Sequence, residues 1–552
     1  MIIHNADIIT MTGHGDRASA VLIDNGIIVA VGKDEDIIKL NTAGTNLIDA
    51  GGATLLPGFI ESHMHLFLGA ASLQVLPLFD VRGLKALTKA IRTFAADNPS
   101  APLLICQGVQ YSLLGENVRP DRHILDQIIS DRPLFLQSAD FHNAWCNTIA
   151  LEKAGILTGF DAGSNSSVEM GEDGLATGVL VEHAAASPVI RLSSTGGREM
   201  SGLEGFEPNA TSDQREDDKV LLKIGLNYCA AQGITTIINM DGNLYQAELL
   251  AELEAEDELT CRVELPYHFT PGKPLESLDV ATTIRSKLAS DKLWCNKVKL
   301  FIDGVLDTHT AYRLHDYPGK PGDKGKPLHN IETFNEIVTE ADRRGFQISV
   351  HAIGDGAVRC VLDSYEVASN VNGKRDSRHR IEHIELIDPA DIPRFHELGI
   401  VASVQPVHPP GCANFPLEPT ISIIGKDQWE NAYLWRTLVE NGAQICFASD
   451  WPIAAVEPLI GIETAITRRP WAEDLPDQCL SFEQTLHAYT AGGAYAAHKE
   501  DKIGSIAPGM AADLVLLNKA ISPANISDVK VTMTICDGKK TYSTFQGSNH
   551  VH

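Results

Sequence analysis

Apolar and polar positions alternate over short stretches at both ends of the chain, and turn residues bound these stretches. The pattern predicts strands, and Asn25-Gly26 between two of them is typical of a hairpin turn. The predicted strands are 6–11, 20–24, 27–31 and 46–49 near the start, and 513–517 and 529–536 near the end. Asp537-Gly538 predicts a further turn. Similar strands at both ends predict one composite β-sandwich, formed by residues 1–56 and 504–552.

The long middle part of the chain alternates between strand-like and helix-like patterns. Amphipathic segments such as 331–344 and 429–441 predict helices. The predicted strands are 55–63, 235–241, 262–269, 297–303, 347–351, 380–384, 401–405 and 445–450. Eight strands that alternate with helices indicate the α/β class, with a (β/α)8 TIM barrel at 57–66 and 219–503.

One stretch is too long for a plain barrel. Roughly 170 residues separate the first two predicted barrel strands, whereas a βαβ unit needs only about 30. The stretch has strand patterns of its own at 103–107 and 134–138, and a helix pattern at 84–97. We therefore expect an inserted α/β subdomain at 67–218, which serves as a lid or substrate wall.

Residues of the types that bind metal ions lie at the C-terminal ends of these predicted strands, the face that carries the active site in such barrels. They are His63, His65, Lys299, His351, His383 and Asp450. His63 and His65 are two apart on a strand and therefore point to the same side. A His-x-His pair alone is weak evidence, because the chain has 20 His and ends in His550-Val551-His552. Its place just after Pro57-Gly58, where the barrel begins, favours metal binding.

The other positions have a structural interpretation beside the functional one. A single buried His is usually a core residue, but His351 and His383 at consecutive strand ends favour a pair of ligands. Asp450 is placed either to cap the next helix or to bind metal and shuttle protons. For Lys299, a salt bridge with Asp303 or an exposed edge position competes with carboxylation of a buried amine, which yields a metal-bridging ligand. Together these side chains predict a site for one or two divalent ions and metal-activated hydrolysis.

Composition narrows the function classes. The net charge of −27, from 45 basic and 72 acidic residues, disfavours binding to nucleic acid, which needs a basic face. Ten Cys without a Cys-x-x-Cys pair predict free thiols in a reducing cytoplasm rather than a disulfide framework. Neither a signal peptide nor an apolar stretch of about 18 residues is recognisable, so we expect a cytoplasmic protein without a membrane partner.

These residues resemble the amidohydrolase superfamily. The chain is most similar to the amidohydrolase-3 branch, which contains N-substituted formamide deformylase-like metal-dependent hydrolases, and the resemblance covers nearly the whole chain. Besides the metal-type residues, it is carried by Leu56-Pro57-Gly58-Phe59-Ile60, His351-Ala352-Ile353-Gly354-Asp355, Arg380-Ile381-Glu382-His383, Ser449-Asp450-Trp451-Pro452 and the segment from Gly504 to Leu514.

The resemblance implies a role for each metal-type side chain. The His-x-His pair would hold the more buried ion with Asp450. His351 and His383 would hold the more exposed ion, and carboxylated Lys299 would bridge the two. Zinc is the expected metal, although other divalent ions are compatible with the same ligands.

The resemblance also implies a set of substrate contacts. His142 and Glu182 would lie on the substrate wall that the insert provides, with ordinary loop and helix-cap roles as the alternative. Asp303 and Trp451 are expected to contact the substrate at the mouth of the barrel. His309 is expected there too, and it stands where many members of the family carry Arg.

The leading hypothesis is a hydrolase that cleaves a C–N bond of a small molecule, of the amide-like, N-acyl or N-formyl type. A metal-activated hydroxide would attack, with Asp450 as the proton shuttle and with His383 and His142 at the reacting centre. The alternative is a mononuclear metal deaminase of an aromatic or cyclic amine, which leaves Lys299 unexplained. A non-catalytic scaffold is a minor alternative, because every ligand position is present. The expected partner is a small-molecule substrate, and a homodimer is the assembly that we consider for the protein.

Overall fold

The structure, a computed structural model, describes residues 1–13, 15–42, 44–78, 80–110, 113–115, 120–138, 143–162, 166–413 and 415–545. Helices alternate with strands over most of this length, so the fold belongs to the α/β class. The chain forms two compact units: Met1–Gly69, Gly202–Glu207 and Leu222–His552 in the first, and Ala70–Ser201 and Pro208–Leu221 in the second. No helix in the described ranges is long and apolar enough to span a lipid bilayer.

Strands from both ends of the chain share a sheet in the first unit. Its strand order is Arg17–Ala18, Asp7–Ile9, Thr54–Pro57, Leu514–Leu517, Val531–Cys536 and Lys539–Ser543. A second sheet has the order Ile27–Gly32, Ala20–Asp24, Ile2–His4 and Leu47–Asp49. One apolar cluster includes buried side chains from both sheets, among them Ile3 and Leu516. The predicted hairpin turn is present, since Asn25 and Gly26 both adopt positive φ (48° and 81°) between two strands.

Parallel strands form the centre of the first unit. One sheet has the order Leu293–Trp294, Arg262–Glu264, Ile234–Asn239 and Phe59–Met64. The other has the order Tyr267–His268, Lys297–Phe301, Gln347–Ala352, Arg380–His383, Val401–Val404 and Gln444–Phe447. Each of the eight strands predicted for the middle of the chain overlaps these elements. Most of their residues are buried, as expected for parallel strands that are covered on both faces.

Backbone hydrogen bonds connect these two sheets at their edges. Pro266 lacks an N–H and interrupts the third predicted strand, so the first half of that strand pairs in one sheet and the second half in the other. At the opposite edges, the Asp450 N–H donates to the His63 carbonyl at 2.8 Å. The His65 N–H donates to the Trp451 carbonyl, also at 2.8 Å. The first and last parallel strands of the chain are therefore neighbours, and we call this junction the seam.

Helices follow most of the parallel strands. The α-helices outside the second unit, or shared with it, are Asp34–Ile37, Leu66–Ser72, Ser212–Ala231, Leu244–Ala255, Leu278–Lys287, Ile331–Arg343, Asp355–Asn372, Ile392–Leu398, Thr420–Ile424, Trp435–Glu440, Pro458–Thr467, Phe482–Ala488 and Ala491–Ala496. Short 3-10 turns are Ile38–Leu40, Arg198–Met200, Leu275–Ser277, Pro389–Asp391, Lys426–Asn431 and Ile526–Asp528. The single helix predicted at 429–441 is wrong. A 3-10 turn and a short α-helix replace it, because Tyr433 adopts a φ of 52° that a right-handed helix cannot contain.

A mixed six-stranded sheet forms the second unit within the described residues. Its order is Ser167–Met170, Ala176–Val181, Asn143–Cys146, Leu134–Ser138, Leu104–Val109 and Leu76–Pro77. The helices of this unit and its border are Leu84–Asp97, Arg122–Ile128, Thr148–Lys153, His183–Ile190 and Ser201–Glu204. The helix predicted at 84–97 packs its buried residues Leu87 and Ile91 into an apolar cluster with Leu134. The predicted strands of this region are likewise present.

A buried ion pair connects the central strands to the C-terminal sheet. Arg262 donates through Nε to Oδ2 of Asp513 at 2.7 Å and through Nη2 to Oδ1 at 3.1 Å. Its Nη2 also donates to Asp537 at 2.9 Å. Arg262 and Asp513 are 4% and 3% exposed, so the guanidinium has exchanged its hydration for these carboxylates. The two-pronged geometry fixes the position of the strand Leu514–Leu517, which begins directly after Asp513.

Replacing Asp513 with Ala is expected to destabilise the protein by about 3–5 kcal/mol, because Arg262 would stay buried without its main partner. The measurement is the midpoint of thermal unfolding. Asp279→Ala is the matched control, since it removes an exposed partner of Arg344 and should move the midpoint little. Equal midpoints for the two variants would contradict this role of the buried pair.

Candidate metal centre

Strand ends bring the predicted metal ligands to the first unit's seam. His63 lies in the strand Phe59–Met64 and His65 follows it directly. His383 is the last residue of the strand Arg380–His383. Asp450 comes three residues after the strand Gln444–Phe447. Because these strands are parallel, their C-terminal ends lie on the same edge.

His63, His65 and Asp450 face one another across the seam. Nε2 of His63 and Nε2 of His65 each lie 3.3 Å from Oδ1 of Asp450. That oxygen is buried and accepts no hydrogen bond from the described residues. Two ligands about 2.1 Å from a tetrahedral zinc ion are separated by about 3.4 Å. The three side chains therefore fit a shared divalent cation.

A second group of donors shares Asp450. The ligand atoms of His383, His408 and Asp450 lie within 4.8 Å of one another, and all three residues are buried. The His383 ring lies 4.8 Å from the His63 ring and 4.5 Å from the His351 ring, between centroids. The predicted ligands of both ions thus converge around one carboxylate, with His351 alongside.

Buried partners orient three of these imidazole rings through Nδ1. The pairs are His63 with Glu382 Oε2 at 2.8 Å, His65 with Asp241 Oδ1 at 2.8 Å and His383 with Gln405 Oε1 at 2.9 Å. When such a ring is neutral, a proton on Nδ1 leaves the Nε2 lone pair free, which is the form that binds metal. His351 differs, because its Nε2 lies 3.1 Å from the Gly304 carbonyl oxygen and Nδ1 is its available nitrogen.

Carboxylates and imidazoles at the centre move one another's pKa values. Burial lowers the pKa of His65, but the carboxylates of Asp241 and Asp450 outweigh that effect and raise it to about 9. Burial disfavours the charged form of Asp450, yet the neighbouring imidazoles hold its pKa well below the usual range. Burial, with the charge of Lys299, lowers the pKa of His351 to about 3. At neutral pH Asp450 is therefore ionised and His351 is unprotonated, whereas His65 keeps a second proton that a bound cation would displace.

Lys299 is fully buried beside the centre. Its Nζ has no hydrogen-bond partner among the described residues and lies 4.7 Å from the centroid of the Phe301 ring. Burial lowers the pKa of Lys299 to about 8, although Glu382 and Asp450 favour its charged form. The salt bridge with Asp303 that the sequence left open is not formed between these described residues, so the amine is available for modification.

Two of the predicted ligands have strained backbone conformations. His383 has a φ of 79° and Asp450 a φ of 62°, in the left-handed region that non-glycine residues avoid. Each such residue costs about 1–2 kcal/mol. The conformations persist where the chain turns at a strand end and directs a donor to the centre. Backbone strain at two residues whose polar side chains converge supports a functional role for His383 and Asp450.

Glu61 accepts backbone hydrogen bonds from both sides of the seam. Its Oε1 accepts the N–H of His63 at 3.1 Å and the N–H of Ser449 at 2.9 Å, although Ser449 lies 388 residues further along the chain. Glu61 is fully buried, and burial raises its pKa to about 8. One carboxylate oxygen therefore holds the first strand and the Asp450 segment in register.

Three residues predicted to contact the substrate lie in different environments. Asp303 is fully buried and accepts three backbone N–H groups, at 2.9–3.1 Å, from the loops that follow its own strand and the next. His309 is half-buried, with its ring 4.8 Å from that of Tyr317. Trp451 is buried and stacks on Tyr228 at 5.6 Å. These contacts account for the packing of all three, and their substrate roles stay predictions.

The two residues predicted on the insert are less closely defined. His142 lies outside the described residues, so its role stays a prediction. Glu182 is half-buried, follows the strand Ala176–Val181 and precedes the helix His183–Ile190 with a φ of 68°. Glu182 therefore occupies the N-cap position of this helix, as the alternative interpretation predicts. A substrate role for Glu182 stays a prediction.

Sequence reasoning missed several polar groups beside the centre. His408 lies in a Pro-rich loop four residues after the strand Val401–Val404, away from any predicted strand end. Asp241 and Glu382 lie at or beside strand ends, and that position was a usable signal for both. Their roles as partners of the candidate ligand imidazoles depend on pairs of residues that are distant in sequence, which no local pattern marks.

Known proteins resemble this chain over nearly its whole length. The model of the amidohydrolase family (amidohydrolase-3 type) matches residues 46–542. Protein LONG AFTER FAR-RED 3 from Arabidopsis thaliana is 28% identical over 98% of this chain and 91% of its own. Putative amidohydrolase YtcJ from Bacillus subtilis is 27% identical over 98% of both chains. N-substituted formamide deformylase from Arthrobacter pascens is 24% identical over 98% of both chains.

Solved structures share the fold. An uncharacterized metal-dependent hydrolase from Pyrococcus furiosus is 25% identical, with a TM-score of 0.74 over 95% of this chain and 99% of that one. An adenosine deaminase from Xanthomonas campestris with bound zinc is 14% identical, with a TM-score of 0.52 over 99% of this chain and 94% of that one. The resemblance seen in the sequence is confirmed, and the chain belongs to the amidohydrolase family, as a hydrolase that acts on carbon–nitrogen bonds.

Proposed function

We propose that this protein is a metal-dependent hydrolase that cleaves the C–N bond of an amide-like small molecule, of the N-acyl or N-formyl type. One observation carries the proposal: Oδ1 of Asp450 is buried, without a hydrogen-bond partner in the described part of the chain, and 3.3 Å from Nε2 of both His63 and His65. Family membership supports it, and so does the likeness to an N-substituted formamide deformylase over 98% of the chain.

Zinc is the metal that we propose, as one or two ions. The His-x-His pair and Asp450 would hold one ion. His351 and His383 would hold the other, with carboxylated Lys299 as the bridge. A bound divalent ion supplies Lewis acidity, which lowers the pKa of water and polarises a carbonyl group. The unpartnered, buried Nζ of Lys299 supports the carboxylated form, because carbon dioxide adds to the neutral amine.

Asp450 moves the proton in the proposed reaction. Hydrolysis forms a C–O bond, breaks the C–N bond and transfers a proton from water to the leaving nitrogen. The Asp450 carboxylate is ionised and faces the centre, so it is placed to accept that proton and then to donate it. His383, with His142 from the insert, is proposed to stabilise the charge that develops on the carbonyl oxygen.

The finer architecture is also a proposal. The backbone links at both edges of the parallel sheets support a closed (β/α)8 TIM barrel at 57–66 and 219–503. The apolar cluster shared by two sheets supports the composite β-sandwich at 1–56 and 504–552. The insert at 67–218 would act as the lid or substrate wall, together with the substrate contacts predicted above. A homodimer and a cytoplasmic location stay predictions, and the finding that all ten cysteines are free supports the latter.

A mononuclear deaminase is the second candidate. The fold shared with an adenosine deaminase that binds zinc favours it. Relatives of that class often place a Glu shortly after the His of the fifth strand, whereas this chain reads His351-Ala352-Ile353-Gly354-Asp355. A buried Lys299 also has no role in it. The missing Glu after His351 and the unexplained Lys299 make the deaminase the weaker candidate.

Metal content and product identity together test the proposal. Elemental mass spectrometry of protein purified from cells grown with zinc and bicarbonate should give about two ions per chain. A ratio of about one ion per chain would favour the deaminase. The loaded protein is then incubated with N-formyl and N-acyl anilines and with aromatic amines. Release of the organic amine supports the amide hydrolase, and release of ammonia supports the deaminase.

Replacing Lys299 with Ala is expected to lower the zinc content from about two ions per chain to about one or fewer, because the bridging ligand is lost. Elemental mass spectrometry measures the ratio. Lys273→Ala is the control, since Lys273 is half-buried and donates to the Tyr267 hydroxyl. Two ions retained in the Lys299 variant would contradict the bridge.

Replacing Asp450 with Asn is expected to leave most of the zinc bound, because the amide oxygen remains a ligand, and to lower kcat about 100- to 10,000-fold, because the proton shuttle is lost. Initial rates of amine release and metal content are measured on the same preparation. Asp342→Asn is the control: Asp342 is buried and lies 3.1 Å from Nε2 of His379, away from the centre. Turnover retained by the Asp450 variant would refute the shuttle.

A further inference from the structure

His408 is a buried histidine that the proposed reaction does not yet use. It is 8% exposed, and its Nε2 has no hydrogen-bond partner among the described residues. That nitrogen lies 4.0 Å from Oδ2 of Asp450. A buried polar atom without a partner is energetically unfavourable. The cost is offset if a ligand supplies the missing contact.

Neighbouring rings hold His408 in place. Its ring lies parallel to that of His383, with centroids 6.0 Å apart and 6° between the planes, and the Phe415 ring packs against it at 5.2 Å. The His408 N–H donates to the Gln405 carbonyl at 3.1 Å. Gln405 in turn bonds to Nδ1 of His383. One segment, 405–408, therefore both supports a predicted ligand and presents a second imidazole to Asp450.

The distances separate a metal ligand from a substrate contact. The two His nitrogens that face Oδ1 of Asp450 are 3.3 Å from it. This is close to the distance of about 3.4 Å between two ligand atoms of one tetrahedral zinc ion. Nε2 of His408 lies 4.0 Å from Oδ2, which is too far for two ligand atoms of the same tetrahedral zinc ion. A separation of that size suits one polar atom that makes a hydrogen bond of about 2.8 Å to each group.

The tautomer of His408 follows from its other neighbour. Oε1 of Glu385 lies 3.8 Å from Nδ1 and Oδ2 of Asp450 lies 4.0 Å from Nε2, so with Asp450 engaged by the proposed cation the Glu385 carboxylate favours the proton on Nδ1. Nε2 is then an acceptor. The group that sits between Nε2 and the Asp450 carboxylate must therefore carry an N–H or O–H.

We propose that Nε2 of His408 accepts a hydrogen bond from the N–H of the leaving nitrogen, opposite Asp450. This inference rests on the proposed amide hydrolysis and defines its substrate further, as a secondary amide. When the C–N bond breaks, its electron pair stays on nitrogen, which receives from Asp450 the proton that came from water. His408 turns the nitrogen so that this electron pair faces Asp450. His408 would thus select amides that carry an N–H.

A pair of substrates with and without an N–H tests this role. Formanilide has the N–H, and N-methylformanilide lacks it. In His408→Ala, kcat/KM for formanilide should fall about 10- to 100-fold, while that for N-methylformanilide should change by less than about threefold. His408→Gln should restore part of the loss, because the amide oxygen also accepts a hydrogen bond. His396→Ala, which changes an exposed histidine on the helix Ile392–Leu398, should leave both values unchanged.

Zinc content is measured on every variant, and it separates the remaining interpretations. The proposal expects His408→Ala to hold as much zinc as the unchanged protein. Loss of about one ion per chain would overturn it and make His408 a metal ligand. Equal losses for the two anilides would overturn it in favour of a packing role. If the unchanged protein holds zinc but hydrolyses neither anilide, amide hydrolysis itself fails, and this inference fails with it.

Discussion

The backbone pairing at the seam is the constraint on which the metal centre depends. His63 and His65 on one side of it, and Asp450 on the other, are brought together by two main-chain hydrogen bonds of 2.8 Å and by the shared acceptor Glu61. A shift of register by one residue would turn the side chains of the first strand to the opposite face. The donors would then no longer converge. Register, more than any single ligand, therefore sets the geometry of the site.

A second requirement is that buried charges remain paired around the centre. Arg380 donates to both oxygens of Glu382 at 2.8 and 2.9 Å, and Glu382 in turn holds Nδ1 of His63. In two other central strands, Lys297 donates to Glu264 at 2.7 Å. These contacts pair the buried carboxylates of Glu382 and Glu264 with cationic side chains. Asp450 Oδ1 and Lys299 Nζ are among the buried polar atoms near the centre that have no hydrogen-bond partner in the described residues, as is His408 Nε2, and a bound cation and its ligands would satisfy such atoms.

The fold alone does not separate a hydrolase from a deaminase, because proteins with both descriptions share it. The distinction depends on side chains at the strand ends and on the loops after them. Lys299 has a place only where a bridging ligand is needed. His408, on the loop after Val401–Val404, lies near Oδ2 of Asp450, while the His-x-His pair lies near Oδ1, and we propose that His408 contacts the leaving group. We propose that these positions carry the chemistry on a fold that proteins with different reactions share.

The sequence by itself determined the order of strands and helices, the sheets that contain both chain ends, and the strand-end positions of His63, His351, His383 and Asp450. Those features follow from periodicity, turn residues and motif order, which are local properties of the chain. Only the tertiary structure decided which donors share an oxygen, that Pro266 divides a strand between two sheets, and that His408 faces Asp450 at 4.0 Å. Such facts depend on register between distant segments. The lowered pKa of Lys299 likewise follows from burial, which appears only after the strands have packed and excluded water.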